Sequence, residues 1–239
     1  MEKVLNICGR ELNSLFDSIM GYVILILFLG LSGFFTWFFG ADVFFMGQAS
    51  LDSFFQVAYW TIFFFIPAVT MKMFAEEKRS GTIELISTKA VTSWQIVVGK
   101  FLASWFLLLL VLILTIPYYI TVAYLGPIDH GGTIGGYVGL LLIGAAYSSI
   151  GLFSSSLTHN QVVAFLVAVF VGGFFHVIFN VLYAQLGGHL ADFFYMLSFR
   201  AHFDQMSRGV FDTRGILLFL TVTFAGLFFA KEVINLRKG

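Results

Sequence analysis

An all-α membrane protein of six spanning helices is the fold class this sequence predicts, on three observations. Hydrophobic residues make up 59% of the chain and charged residues 11%, and Phe alone occurs 31 times. The apolar residues gather into six runs of about twenty residues or more, the length a helix needs to cross roughly 30 Å of hydrocarbon. None of these runs shows the alternation of polarity, in segments of about ten residues, that marks an outer-membrane barrel. All six belong to one transmembrane domain covering residues 1–239, and the chain contains neither a repeat unit nor a low-complexity tract.

The elements follow in order. The N-terminal segment, with residues 1–17 as its helix, carries Val4, Cys8, Leu12, Leu15 and, just beyond, Ile19 at helical spacing against Glu2, Lys3, Arg10, Glu11 and Asp17. That pattern predicts an amphipathic helix lying on the inner leaflet. The first span is Ser18–Phe39; its apolar run is too long for a cleaved signal peptide and lacks a small-residue cleavage site after it. Phe54–Met73 is the second span, with Pro67 inside it, and Phe101–Leu125 the third, with Pro117. Each proline removes one backbone hydrogen bond and loosens its span. Thr92 and Gln95 form a capping box with Val91 and Ile96 as its staple, which starts the third helix at Ser93. The fourth and fifth spans are Ile134–Leu157 and Val162–Tyr183, and Thr158 with Gln161 repeats the capping device between them.

Residues 184–213 then read as an external loop of short amphipathic helices resting on the outer surface, in part re-entrant. Its stripe is Phe199, Phe203, Met206 and Val210, and Arg200, Asp204 and Arg208 are spaced for i,i+4 pairing. Gly215–Ile234 is the last span. Lys and Arg concentrate in the N-terminal segment, in residues 72–100 and at the C-terminus, while Gly40–Asp52 and Gly126–Thr133 contain none. Both termini therefore face the cytoplasm by the positive-inside rule, with Arg200, Arg208 and Arg214 outside.

Several chemistries are excluded. Gly99-Lys100 is followed by Phe101 and preceded by Trp94 where a phosphate-binding loop needs its first glycine, so this chain holds no nucleotide by that device. The five His residues form no metal-ligand spacing, and no nucleophile elbow occurs. The chain is expected to be no enzyme and to bind neither a metal nor a cofactor. With a formal net charge of zero it offers no basic face to nucleic acid. The single cysteine, Cys8, is expected to pack as a small apolar residue.

Two intramembrane patterns stand out. In the fifth span Ala164, Ala168, Gly172, His176 and Asn180 recur every four residues, so that small and polar groups share one stripe. Either the stripe packs against a neighbouring helix or second subunit, with His176 and Asn180 hydrogen-bonded across, or these two border a transport pathway. The fourth span has a small-residue face of Gly132, Gly136, Gly144, Ser148, Gly151 and Ser155, for which packing is the expectation. Pro67 is a candidate hinge.

The densest charge lies between the second and third spans, in residues 74–92. Glu76, Glu77, Lys78 and Arg79 extend the second helix beyond the bilayer, Ser80 and Gly81 break it, and Thr82–Ile86 form a short amphipathic turn containing Glu84 and Leu85. A loop that only fixed topology would not need that internal order, and a docking role is the better reading. The run from Phe74 to Lys89, closed by Gly99-Lys100, resembles the corresponding loop of type 2 ABC permeases, usually E-x-x-x-G-T-x-E-x-L-x-x-T-P. Lys89 stands here in place of the proline.

Gly131-Gly132-Thr133-Ile134-Gly135 and Arg208-Gly209-Val210-Phe211-Asp212-Thr213-Arg214 are also similar to segments of the GldF-like permease subunits associated with bacterial gliding motility. The resemblance implies a multi-pass permease half in the bacterial inner membrane. That half pairs with a second half, identical or homologous, and with two copies of an ABC ATPase, which carry the ATP and Mg. It implies that Glu76, Glu77, Lys78, Arg79, Gly81, Thr82, Glu84 and Leu85 dock the ATPase. It further implies that the second and fifth spans line the pathway, through Pro67, Ala168, Gly172, His176 and Asn180, and that Phe199, Phe203 and Arg208 belong to an external gate. Two other classes compete: a secondary transporter or channel, against which counts the absence of any Asp or Glu deep in a span, and a structural anchor of a motility or secretion machine.

Overall fold

The computed structural model describes residues 1–38, 49–81 and 91–236. They form α1 (Glu2–Phe16), α2 (Ile19–Trp37), α3 (Asp52–Arg79), α4 (Ser93–Leu114), α5 (Ile116–Leu125), α6 (His130–Leu157), α7 (Gln161–Gly173), a π-helical turn (Phe174–Ile178), α8 (Phe179–Gln185), α9 (His189–Leu197), α10 (Phe199–Met206) and α11 (Thr213–Asn235). The protein is all-helical among these residues. Five helical stretches are long and apolar enough to cross a membrane, and the number rises to six when α1 and α2, which meet at a bend of 75°, are counted as one span. The turn expected at Thr82–Ile86, together with Lys89, lies outside the described residues.

The order of packing follows from side-chain size. The apolar stretch of α6 is 72% buried within the chain, against 22% for α7 to α8 and 17% for α11, so α6 is the central helix. Its glycines make this possible, because without side chains they let backbones close up. A Cβ at Gly136 would run into the Phe55 ring of α3, one at Gly144 into Leu108 of α4, and one at Gly151 into Thr70 of α3. The small-residue face expected of this span is a packing surface that serves several neighbours at once.

Caps and stops largely fall where local chemistry puts them. Thr92 and Gln95 make the full capping box, with Gln95 N–H donating to Thr92 Oγ1 at 3.3 Å and Thr92 N–H to Gln95 Oε1 at 3.0 Å. The helix begins at Ser93 as the sequence requires. At the other end of the loop α3 runs to Arg79, and Gly81 takes φ +71°, a left-handed stop that only glycine adopts without strain. Span three breaks at Thr115, two residues before Pro117, and the Thr115 hydroxyl donates to the Leu112 carbonyl at 2.7 Å.

Three expectations are corrected. The second capping box does not form: Asn160 caps α7 through Val162 N–H at 2.9 Å, and the Thr158 hydroxyl instead accepts from Asn160 N–H at 3.1 Å. An Asn adjacent to the first helical residue outcompetes a Thr two positions further away. Span five is not one regular helix, because the π-helical turn at Phe174–Ile178 interrupts it. The external segment does not simply rest on the surface. Phe199 and Phe203, expected on a surface stripe, are buried at 0% and 1% exposure, and only Val210 of that stripe is exposed. α10 plugs the bundle, since Phe203 stacks on Tyr59 of α3 and Phe199 packs edge-on against Tyr147 of α6 and Phe219 of α11.

α1 spends its apolar stripe on protein. Cys8 and Leu15 are buried, and Gly99 of α4 leaves the space that Val4 and Ile7 occupy, since a Cβ there would come within 2.8 Å of Ile7 Cβ. Burial pushes the Cys8 thiol above its ordinary value, with the Glu11 carboxylate adding to the shift, so it is held as a neutral packing group.

Candidate functional site

The end of the bundle where α3 stops and α4 starts carries a buried charge network. Lys100 is fully buried, about two turns into α4. Its ammonium donates to Glu77 Oε1 at 2.8 Å, to Glu11 Oε1 at 3.1 Å and to the Met73 carbonyl at 2.7 Å, so all three of its N–H bonds are used. The Phe74 ring lies beneath it, 5.1 Å from nitrogen to centroid. Arg10 joins the same two carboxylates, at 2.7 Å to Glu11 and 3.2 Å to Glu77. Two cations and two anions thus tie α1, α3 and α4 together without net charge. Burial raises the Glu11 carboxyl, but Lys100 and Arg10 outweigh it and hold the group below the ordinary carboxylate value.

Further ties fix the same end of α3. Lys78 is buried and donates to the Ser156 carbonyl of α6. The Ser155 hydroxyl of α6 donates to the Met71 carbonyl at 2.8 Å and accepts from the Phe74 and Ala75 amides at 3.0 Å each, which inserts it into the backbone ladder of α3. Lys72 reaches Ser18, at the α1 to α2 junction, at 3.3 Å. Of the residues expected to grip a partner, Glu76, Arg79 and Gly81 are exposed. Glu77 and Lys78 are engaged inside the chain. Thr82, Glu84 and Leu85 lie outside the described residues.

A second constellation occupies the middle of the bundle. The His176 ring, 2% exposed, is sandwiched between Tyr59 and Phe63 of α3 with centroids 4.1 and 4.3 Å away, and Trp60 meets it edge-on at 4.6 Å. Its Nδ1 shares a hydrogen bond of 2.8 Å with the Tyr147 hydroxyl, and its carbonyl accepts from the Tyr59 hydroxyl at 3.2 Å. The π-helical turn aims the ring here. Arg200 of α10 lies over Tyr59 at 5.1 Å, so the column continues into the external segment.

Ala164, Ala168 and Gly172 are buried on the same face, Pro67 is buried in α3, and the half-buried Asn180 accepts from Ser198 at 3.3 Å. The stripe of span five therefore turns onto helices of its own chain. Replacing Gly172 by Leu is expected to lower the thermal midpoint in detergent, because a Cβ there already stands 3.0 Å from Tyr147 Cε1. Overpacking of this kind costs about 1–3 kcal/mol. The half-buried Val171, replaced by Leu, is expected to change it little; equal midpoints for the two variants would refute the packing role.

Sequence reading missed the partnership of Lys100 with Glu11 and Glu77, although a lysine two turns into a helix, directly before its apolar run, is itself a signal that a counter-charge is near. It singled out His176 but not the rings that hold it. Among the described residues no cluster of three His, Cys, Asp or Glu could hold a metal.

A family described as ABC-2 family transporter protein matches residues 42–230. No curated protein matches the chain.

Proposed function

The chain belongs to the ABC-2 family of transporter proteins, and from that premise we propose that it is the permease half of an ATP-driven exporter, of the GldF-like kind linked to gliding motility or secretion. The family is one of membrane permease domains and not of nucleotide-binding domains. An ABC ATPase is accordingly its partner. ATP and Mg are held by that ATPase, present in two copies, and a second permease half, identical or homologous, completes the pathway in the bacterial inner membrane with both termini in the cytoplasm.

One observation carries the reading. The charged end of α3 presents Glu76 and Arg79 outward while Glu77, Lys78, Ser155 and Lys100 bind its inner side to α1, α4 and α6. A displacement imposed on the exposed side cannot be absorbed locally, since the inner side is fixed to three other helices. It is passed to the spans, as coupling of hydrolysis to transport requires. Residues 82–90 continue from that end, and Glu84 and Leu85 with Thr82 supply the remaining contacts. With the stripe of span five turned inward, the exposed Trp60 and Phe64 of α3 and Leu166 and Phe170 of α7 are the faces of the second and fifth spans that can meet the second half and the pathway.

A single cysteine at position 79 tests docking and orientation together. In a Cys8→Ser background, Arg79→Cys is expected to resist a membrane-impermeant thiol reagent in intact cells, to react in inverted vesicles, and to be protected there by the ATPase. Labelling from outside overturns the orientation, and labelling in inverted vesicles that the ATPase leaves unaltered overturns the docking site. Glu84→Lys is expected to leave membrane insertion intact while uncoupling hydrolysis from transport.

A further inference from the structure

The two motifs that resembled gliding-associated subunits, far apart in sequence, meet at the end of the bundle opposite Lys100. α10 closes in a Schellman stop: Val210 N–H donates to the Gln205 carbonyl at 3.0 Å, Gly209 N–H to the Met206 carbonyl at 2.9 Å, and Gly209 takes φ +81°. This turn lies on the glycines that open α6. A Cβ at Gly135 would run into the Met206 carbonyl, one at Gly132 would stand 2.7 Å from the Ser207 carbonyl, and one at Gly209 would stand 3.3 Å from the Gly131 backbone. Three glycines thus permit backbone-on-backbone contact whose result is to mount one side chain, Arg208, on a rigid base.

Arg208 stands where two cavities join. One, of about 620 Å³, lies between the start of α3, the α5 to α6 turn and the α10 stop; the other, of about 220 Å³, lies between α3 and α10. Both are lined by Asp52, Phe55, Ser207 and Arg208. Arg200 of the cleft is neutralised by Asp204 at 3.0 Å, and the Asp129 carboxylate caps α6 through Gly132 N–H at 3.1 Å, where the helix amides partly offset its charge. Arg208 is exposed and has no ion pair among the described residues. Asp52 occupies the first turn of α3, where the helix amides offset its charge.

We propose that Arg208 anchors an anion-binding cleft at this end of the bundle, which takes a ligand bearing a phosphate or carboxylate group. A guanidinium matches the two oxygens of such a group in one plane. The backbone of the mount is already ordered by its glycine contacts, so binding has to order the side chain alone, and the apolar wall of Leu51, Phe55 and Leu125 weakens screening of the charge. The cleft stands apart from the ATPase-docking end, so its test is independent of the transport reading.

Radiolabelled pyrophosphate is the soluble probe, measured by equilibrium dialysis on the full chain in phosphatidylcholine nanodiscs at fixed ionic strength. Phosphatidylglycerol, scored by native mass spectrometry of protein extracted from mixed bilayers, is the headgroup probe. Arg208→Ala is expected to weaken binding about tenfold or more, the loss of one charge-assisted contact. Asp52→Asn is expected to strengthen it by removing a like charge, and Arg214→Ala, an exposed arginine of the same motif that lines neither cavity, is expected to leave it unchanged. Pyrophosphate binding with this pattern identifies a free anion, and phosphatidylglycerol retention with this pattern a lipid headgroup. Binding of neither probe, or equal losses in Arg208→Ala and Arg214→Ala, overturns the proposal.

Discussion

Replacing Lys100 by Met is expected to cost the protein about 3–5 kcal/mol, the usual effect of removing one partner from a buried ion pair. The methionine fills much of the same volume, so the loss is electrostatic: Glu11 and Glu77 are left facing each other with only the half-exposed Arg10 between them. The Met73 carbonyl also loses its donor. The thermal midpoint of the purified protein should fall, and limited proteolysis should cut first in α1, which Lys100 holds to α3. Combining Lys100→Met with Glu11→Gln and Glu77→Gln should restore much of the midpoint, because a neutral site no longer buries an unpaired charge. A Lys100→Met protein as stable as wild type would show that the network is held in place by packing alone. The two carboxylates pull the pH dependence in opposite senses: burial raises the Glu77 carboxyl above its ordinary value, whereas the Glu11 carboxyl is held low in the folded protein, and it is Glu11 that adds stability on ionising. The stabilisation it contributes is complete above the ordinary carboxylate value and is lost as pH falls through the lowered one.

His176→Ala is the second large effect. The ring fills a slot between Tyr59 and Phe63, and its removal leaves an aromatic-sized cavity that neither stiff neighbour can close. Truncations of that size cost about 3 kcal/mol or more. The Tyr147 hydroxyl loses its partner at the same time. His176→Phe separates the two contributions, since it keeps a ring in the slot and gives up only the hydrogen bond, whose loss is worth about 1–3 kcal/mol when the remaining group is buried. The expected order of midpoints is wild type, His176→Phe, His176→Ala. Equal midpoints for wild type and His176→Ala would mean that the aromatic column does not hold the π-helical turn.

Both variants act at places whose meaning was only partly visible in the chain. Lys100 was legible as the basic end of a loop, and His176 as a polar group among small residues. What each one touches was not, since Glu11 lies 89 residues from Lys100 and the Tyr59 hydroxyl bonds a carbonyl 117 residues away. Neither spacing leaves a local pattern.

The sequence by itself determined the helices. Span lengths, the Thr92 capping box, the break near Pro117 and the stop at Gly81 depend on a few consecutive residues and on the need to satisfy every backbone group inside a bilayer, so local chemistry is enough to place them. Only the tertiary structure decided which apolar face of each helix is core and which is left for lipid or partner. In hydrocarbon both faces are apolar, and the contrast that reveals a buried face in water is missing. The same lack of contrast hid the burial of Phe199 and Phe203 of α10 in the bundle, the inward turn of the span-five stripe, and the meeting of the Gly131–Gly135 and Arg208–Arg214 segments. Each of these arises from shape, as a glycine-lined groove accepts a backbone or a slot accepts a ring. Fit of that kind exists only once the helices are assembled.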